Sequence, residues 1–274
     1  TLSWSTSGPW PGVLPATAVR GPVQVAGFVG PLKLNRSSLG VIGMAVYRMM
    51  YAKVGPARFI SHLDLLRTFG RAARRAGLPL AFTQGFNPHP KITFAAPLAV
   101  GIAGEAEFAD LELTRKIPAP VVARALTGAL PEGLSVLAVR LQRGSSPPLM
   151  AMVECASYRA EAKACGPVTG EELKDAIASF LSRQEILVER KNKEGKKVLR
   201  NLRPGIFEMS GKVDNDIIKI EAELKTGSSG NIRIEEVMEA FQKTSRLPVQ
   251  GGYALFRTNL YTGAGKEKKM LWQS

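Results

Sequence analysis

The stretch Tyr47-Arg-Met-Met-Tyr-Ala-Lys-Val54 runs into Gly55-Pro56, and Ser61-His-Leu-Asp64 comes next. An apolar, aromatic-rich run closed by Gly-Pro reads as a strand. Ser61 then stands as a helix N-cap with Asp64 three residues on, a spacing that satisfies free backbone N–H groups at a helix start. The helix runs to Ala76 and stops at Gly77, with Pro79 beyond it. Leu66, Phe69, Ala73 and Ala76 form its buried stripe.

Outward from this unit, Ile92–Phe94 and Phe108–Leu113 are extended runs with Val100–Gly104 between them. Pro120–Leu130 is a second short helix and Leu134–Leu141 a closing strand, while Leu80–Thr83 is an extra piece without a place. The order strand–helix–strand–strand–helix–strand is the split βαβ of ferredoxin-like folds. After Arg143-Gly-Ser-Ser-Pro-Pro148 the rhythm repeats. Met152–Ala164 alternates as a strand, Thr169–Ser182 is a helix capped by Thr169, and Glu185–Lys191 and Val198–Leu202 flank the turn Asn192-Lys193-Glu194-Gly195. Ile217–Leu224, Ile234–Lys243 and Tyr253–Tyr261 complete a strand–helix–strand. The expected class is α+β: two tandem ferredoxin-like lobes with antiparallel sheets and helices on one face. The first lobe covers 44–143, the linker 144–149, and the second lobe, with a basic hairpin, 150–274.

The charge balance narrows the function. Among 274 residues, 37 Lys and Arg face 23 Asp and Glu, a formal net charge of +14. Such a surplus attracts polyanions, and nucleic acid is the leading class. No apolar run is long enough to span a bilayer, and no basic amphipathic helix points to a membrane surface. Cys155 and Cys165 are the only cysteines. They exclude a disulfide framework and a four-thiolate metal site within the chain, and fit a reducing cytoplasm.

Thr1–Gly43 differs in composition from the rest of the chain: it holds no Asp or Glu, and the first Met is Met44. It reads as a disordered leader or as upstream sequence joined to the gene, with the native chain expected to start at Met44.

Arg58-Phe-Ile-Ser-His-Leu-Asp64, Arg74-Arg75-Ala-Gly-Leu-Pro79 and Gln84-Gly-Phe-Asn-Pro-His-Pro-Lys91 resemble one bacterial family, together with Phe94-Ala-Ala-Pro-Leu98, Gly101, Glu105-Ala-Glu107 and Leu130-Pro-Glu-Gly133. It is the radical SAM-linked protein family, a domain of unknown function. The resemblance is dense from Tyr47 to Leu141 and thins to Asn201-Leu-Arg-Pro204 and Gly227–Ile234. What it implies is a partner, because members are encoded beside or fused to a radical SAM protein with a cobalamin-binding-like domain. This chain has no three-cysteine cluster motif, so the radical chemistry would belong to that partner. No cofactor is expected here.

Three groups of residues can carry function. Arg67, Arg71, Arg74 and Arg75 recur at i, i+4, i+7 and i+8, one basic stripe along a helix. Such a stripe can contact successive phosphates; the plainer reading is a solvated face with Arg67 paired to Asp64. Gln84–Lys91 is a loop stiffened by two prolines, in which Phe86, Asn87, His89 and Lys91 offer a ring, an amide, an imidazole and a cation beside Gln84. That set suits an unstacked RNA base and its phosphate; the plainer reading is Phe86 in the core and prolines that shape a strand crossover. Lys191, Lys193, Lys196, Lys197 and Arg200 crowd one hairpin, which can reach RNA or an acidic partner surface; the plainer reading is a solvated turn.

His62 and His89 are the only histidines. As base and acid, with Lys91 or Arg58 stabilising charge, they would make a metal-independent endoribonuclease. As metal ligands they would need Asp64 or Glu107 to converge, and no spacing shows that. The expected role is a non-enzymatic RNA-binding accessory for tRNA or rRNA, serving a radical SAM modification enzyme. An endoribonuclease and a protein-interaction module without RNA contact are the rivals. Oligomeric state stays open.

Overall fold

The computed structural model describes residues 42–142, 144, 147–191 and 194–272. Of Thr1–Gly43, residues 1–41 lie outside the described residues, while Ile42 and Gly43 open the first strand ahead of Met44. Arg143, Ser145 and Ser146 of the linker, and Asn192 and Lys193 of the hairpin turn, also lie outside them.

The first half runs β1 (Ile42–Lys53), α1 (His62–Arg75), β2 (Ile92–Phe94), β3 (Ala103–Arg115), α2 (Ala119–Thr127) and β4 (Leu134–Leu141). Tyr47, Met49 and Tyr51 of β1, with Ala109, Leu111 and Leu113 of β3, occupy alternate positions and therefore share one face. Leu65, Phe69 and Ala73 of α1 and Val122, Ala125 and Leu126 of α2 close over them. Tyr51 meets the Phe69 and Phe94 rings edge-on at 5.1 and 5.9 Å. Ser61 caps α1: its Oγ accepts from the Asp64 backbone N–H at 3.2 Å and donates to the Asp64 carboxylate at 2.7 Å. Leu80–Thr83 finds its place here, with Leu80 bridged to Leu113 and Phe82 to Pro90.

The second half runs β5 (Cys155–Ala164), α3 (Gly170–Leu181), β6 (Leu187–Lys191), β7 (Lys197–Asn201), β8 (Ile206–Asp214), β9 (Ile217–Lys225), α4 (Ile234–Ser245), β10 (Val249–Thr262) and β11 (Lys269–Met270). Thr169 and Glu172 form a complete capping box at α3. Phe180 of α3 and Phe241 of α4 meet edge-on at 5.4 Å within this half's core. Among the described residues β6 and β7 pair only with each other, and this separate hairpin together with β11 is the surplus of strand over the first half.

The sequence reading expects antiparallel sheets. The structure corrects this to one nine-stranded sheet, ordered β4-β1-β3-β10-β5-β9-β8, with β2 on β3 and β11 on β10. Pairing is antiparallel except at the centre, where β10 runs parallel to β3 with Phe256 beside Ala103 and Arg257 beside Gly104. The cause lies in β2, which covers β3 only at Ala109–Leu111 and leaves its earlier residues open to β10. The expected linker is likewise partly packed, with Leu149 buried in the second core; Met152, expected to open the next strand, instead ends a short 3-10 turn, where its sulfur meets Arg48 of β1 at 3.6 Å.

Burial also separates the two cysteines. Cys155 is buried, which pushes its thiol up to about 11, with Glu223 adding to the shift, whereas Cys165 is exposed. At pH 8, Ellman's reagent is expected to consume one thiol per folded chain and a second only in denaturant. A folded Cys165→Ser variant that still reacts quickly would contradict this burial.

Candidate nucleic-acid interface

α1 buries Leu65, Phe69, Ala72 and Ala73 and turns its arginines outward. The side chains then diverge. Arg67 donates to the Asp64 carboxylate at 3.1 Å, the local pairing visible in the sequence. The Ser61 hydroxyl, and after it Arg67, hold the Asp64 carboxyl below its ordinary value. Arg71 is exposed and makes no ion pair among the described residues. The Arg74 guanidinium lies over the Phe82 ring, 5.5 Å from its centroid. Arg75 turns aside and donates to the Ala129 carbonyl beyond α2.

The loop Gln84–Lys91 lies against the same helix. Gly70 of α1 has no side chain because Pro90 sits there: a Cβ would come 3.2 Å from the Pro90 ring. The loop is closed on itself, since the Thr83 N–H donates to the His89 carbonyl at 2.9 Å and the His89 N–H to the Thr83 hydroxyl at 3.0 Å. Gly85 takes a φ of +123°, which other residues rarely adopt. Gln84, Phe86, Asn87 and His89 all face solvent, and Phe86 is bare, with a relative exposure of 105%. Lys91 departs from this group, pairing with Glu112 of β3 at 3.0 Å.

The remaining candidates fall elsewhere. The His62 ring stands edge-on to Phe94 at 5.3 Å, and no hydrogen bond joins His62 to His89 among the described residues. Arg58 stacks on Phe59 at 4.8 Å, and its buried Nε has no hydrogen-bond partner among the described residues. The β6–β7 hairpin carries its own counter-charges: Lys197 pairs with Glu189 at 2.8 Å and Lys196 with Glu194 at 3.5 Å. Arg200 donates to the Asn231 carbonyl at 2.9 Å and Arg190 pairs with Glu236 of α4 at 2.5 Å, so the hairpin is fastened down. No cluster among the described residues could hold a metal ion, and no helix there is long and apolar enough to cross a membrane.

Glu105 and Glu107, which the resemblance singled out, bind across the centre of the sheet. Glu107 and Arg257 of β10 form a two-pronged pair at 2.7 and 2.5 Å, both 2% exposed. Arg257 also donates to the Pro97 and Ala96 carbonyls at 3.1 and 3.0 Å. Burial works against its charge, yet Glu107 outweighs burial and raises its pKa. Gly104 leaves the space this carboxylate fills, since a Cβ there would lie 2.5 Å from the Glu107 Cγ. Glu105 pairs with Arg159 of β5 at 2.6 Å. Lys53, 1% exposed, lies near the pair; burial lowers its pKa, while Glu107 raises it.

Residues 46–234 match a family described as "Uncharacterized protein conserved in bacteria (DUF2344)". The chain belongs to this family. The DUF2344 match takes in α1, the proline-stiffened loop and both seam glutamates, while Arg257 lies beyond it. No curated protein matches the chain. Among solved structures, it is similar to the archaeal box H/ACA sRNP Nop10–Cbf5 complex at a TM-score of 0.41 and 10% identity, over 79% of this chain and 47% of that one. A Cbf5–Nop10–Gar1 complex gives 0.40 and 10%, over 84% and 56%. An unknown protein from Galdieria sulphuraria gives 0.23 and 13%, over 81% and 99%. The chain spans about half the length of the first two. Likeness at these scores carries no argument about function.

Proposed function

We propose that this DUF2344 protein is a non-enzymatic RNA-binding accessory, for tRNA or rRNA, built as two ferredoxin-like lobes. It presents its RNA to a radical SAM modification enzyme, the partner implied by the resemblance of its first half. The lobe reading is supported by strand order: β4-β1-β3-β2 and β10-β5-β9-β8 have the same antiparallel arrangement. The RNA reading is carried by one observation. Among the described residues Arg71 lies exposed and in no ion pair, between Arg67 and Arg74 and beside a pinned loop presenting Phe86, Asn87 and His89. Guanidinium groups on a solvent-facing helix side suit phosphates, and each contact releases counterions.

Arg71→Ala combined with Arg74→Ala should weaken binding to structured RNA at least tenfold at 0.1 M salt. The slope of log affinity against log salt should flatten by about 1.5, the loss of two phosphate contacts. Affinity and slope unchanged by both substitutions would defeat the proposal. RNA staying intact with the protein in EDTA separates this reading from an endoribonuclease; cleavage abolished by His62→Ala would replace it with that rival.

A further inference from the structure

The arginines of α1 account for attraction to any polyanion, but Phe86 is left over. A fully exposed phenyl ring stands in water on a loop closed at its base by Thr83 and His89 and seated on Gly70 through Pro90. A second ring lies just ahead of the N-terminus of the same helix. Phe59 is 59% exposed under the Arg58 guanidinium, next to Leu63, which is 63% exposed. Leu63, Arg67, Arg71 and Arg74 succeed one another at helical spacing along a line of roughly 16 Å, at 1.5 Å per residue. Apolar groups therefore stand at the N-terminal end of a cationic row, at Phe59 and Leu63, and on the loop seated beside it at Gly70.

A duplex would meet this surface with phosphates alone, because its bases are stacked inside. It would use the arginines and leave both rings wet. An unpaired strand offers phosphates and free base faces together, and base–aromatic stacking contributes about 1–3 kcal/mol per base.

We infer that the exposed face of α1 is a track for single-stranded nucleic acid. The backbone lies on Arg67, Arg71 and Arg74, one base stacks on Phe86, and another stacks at Phe59. This rests on the RNA-binding reading and specifies its substrate class: an unpaired segment, such as a loop or a free end, rather than a helix.

The test is fluorescence anisotropy of the full chain with three probes of equal length: a labelled single-stranded RNA, its duplex, and a strand whose sugars carry no bases. The base-bearing single strand should bind about tenfold more tightly than either of the others. Phe86→Ala should lower its affinity to the level of the baseless strand, and Phe86→Trp should restore it, with tryptophan emission quenched on binding. Equal affinity for the baseless and base-bearing strands, or an equal Phe86→Ala loss on single strand and duplex, would overturn the track while leaving phosphate binding intact. Absence of salt-sensitive binding to all three probes would remove the underlying RNA reading as well, and a protein partner would then be the better occupant of these rings.

Discussion

Glu107→Ala is expected to destabilise the protein by about 3–5 kcal/mol, the cost of leaving a buried charge without its partner. Arg257 is 2% exposed, and once the carboxylate is gone it keeps the Ala96 and Pro97 carbonyls and the Tyr158 side chain but no carboxylate to balance its charge. Against a typical total of roughly 5–15 kcal/mol, this is a large fraction of stability. The urea midpoint should fall accordingly. Because the penalty comes from the orphaned cation, Glu107→Leu with Arg257→Met should recover most of the loss. If Glu107→Ala unfolds at the same urea concentration as the wild type, the pair does not hold the halves together.

Gly227→Ala should cost about 2–6 kcal/mol, from a strained backbone and from steric conflict. Gly227 has φ of +114°, and a Cβ there would lie 1.9 Å from the Val153 carbonyl oxygen. That carbonyl cannot retreat freely. The next residue, Glu154, accepts from the Thr226 N–H and donates to the Tyr261 carbonyl, each at 3.0 Å, fastening the ends of β9, β5 and β10 together. Gly195 is the control, since it has φ of +79° but nothing within 4 Å, so Gly195→Ala should cost only about 1 kcal/mol. Equal midpoints for the two variants would mean that the close approach is absent.

Much of the first half was legible because its signals are local. Ser61, Asp64 and Gly77 mark the ends of α1 within its own sequence, and alternation in β1 names the buried face. The parallel joint was not legible: Ala103 and Phe256 are far apart in the chain, and nothing near either residue specifies the other. The same distinction applies to the charges. Helical spacing placed four arginines on one side of α1, but only three-dimensional neighbours assign Arg75 to Ala129 and Lys91 to Glu112. Arg257 could have been suspected as the one charge in β10, whereas Arg159 shares β5 with Glu161 and Lys163 and does not stand out. Phe59 gave no such hint, since an aromatic residue in a mostly apolar stretch reads as core.

The last long strand of the chain occupies the middle of the sheet. During synthesis, the ribosome therefore releases both flanks before the piece that unites them. Until Val249–Thr262 has cleared the exit tunnel, β3 and β5 each carry an unsatisfied border able to recruit a stray strand from another nascent chain. A premature stop just upstream of Val249 would leave two sticky fragments on one polypeptide, a product that should aggregate rather than persist as a smaller working protein.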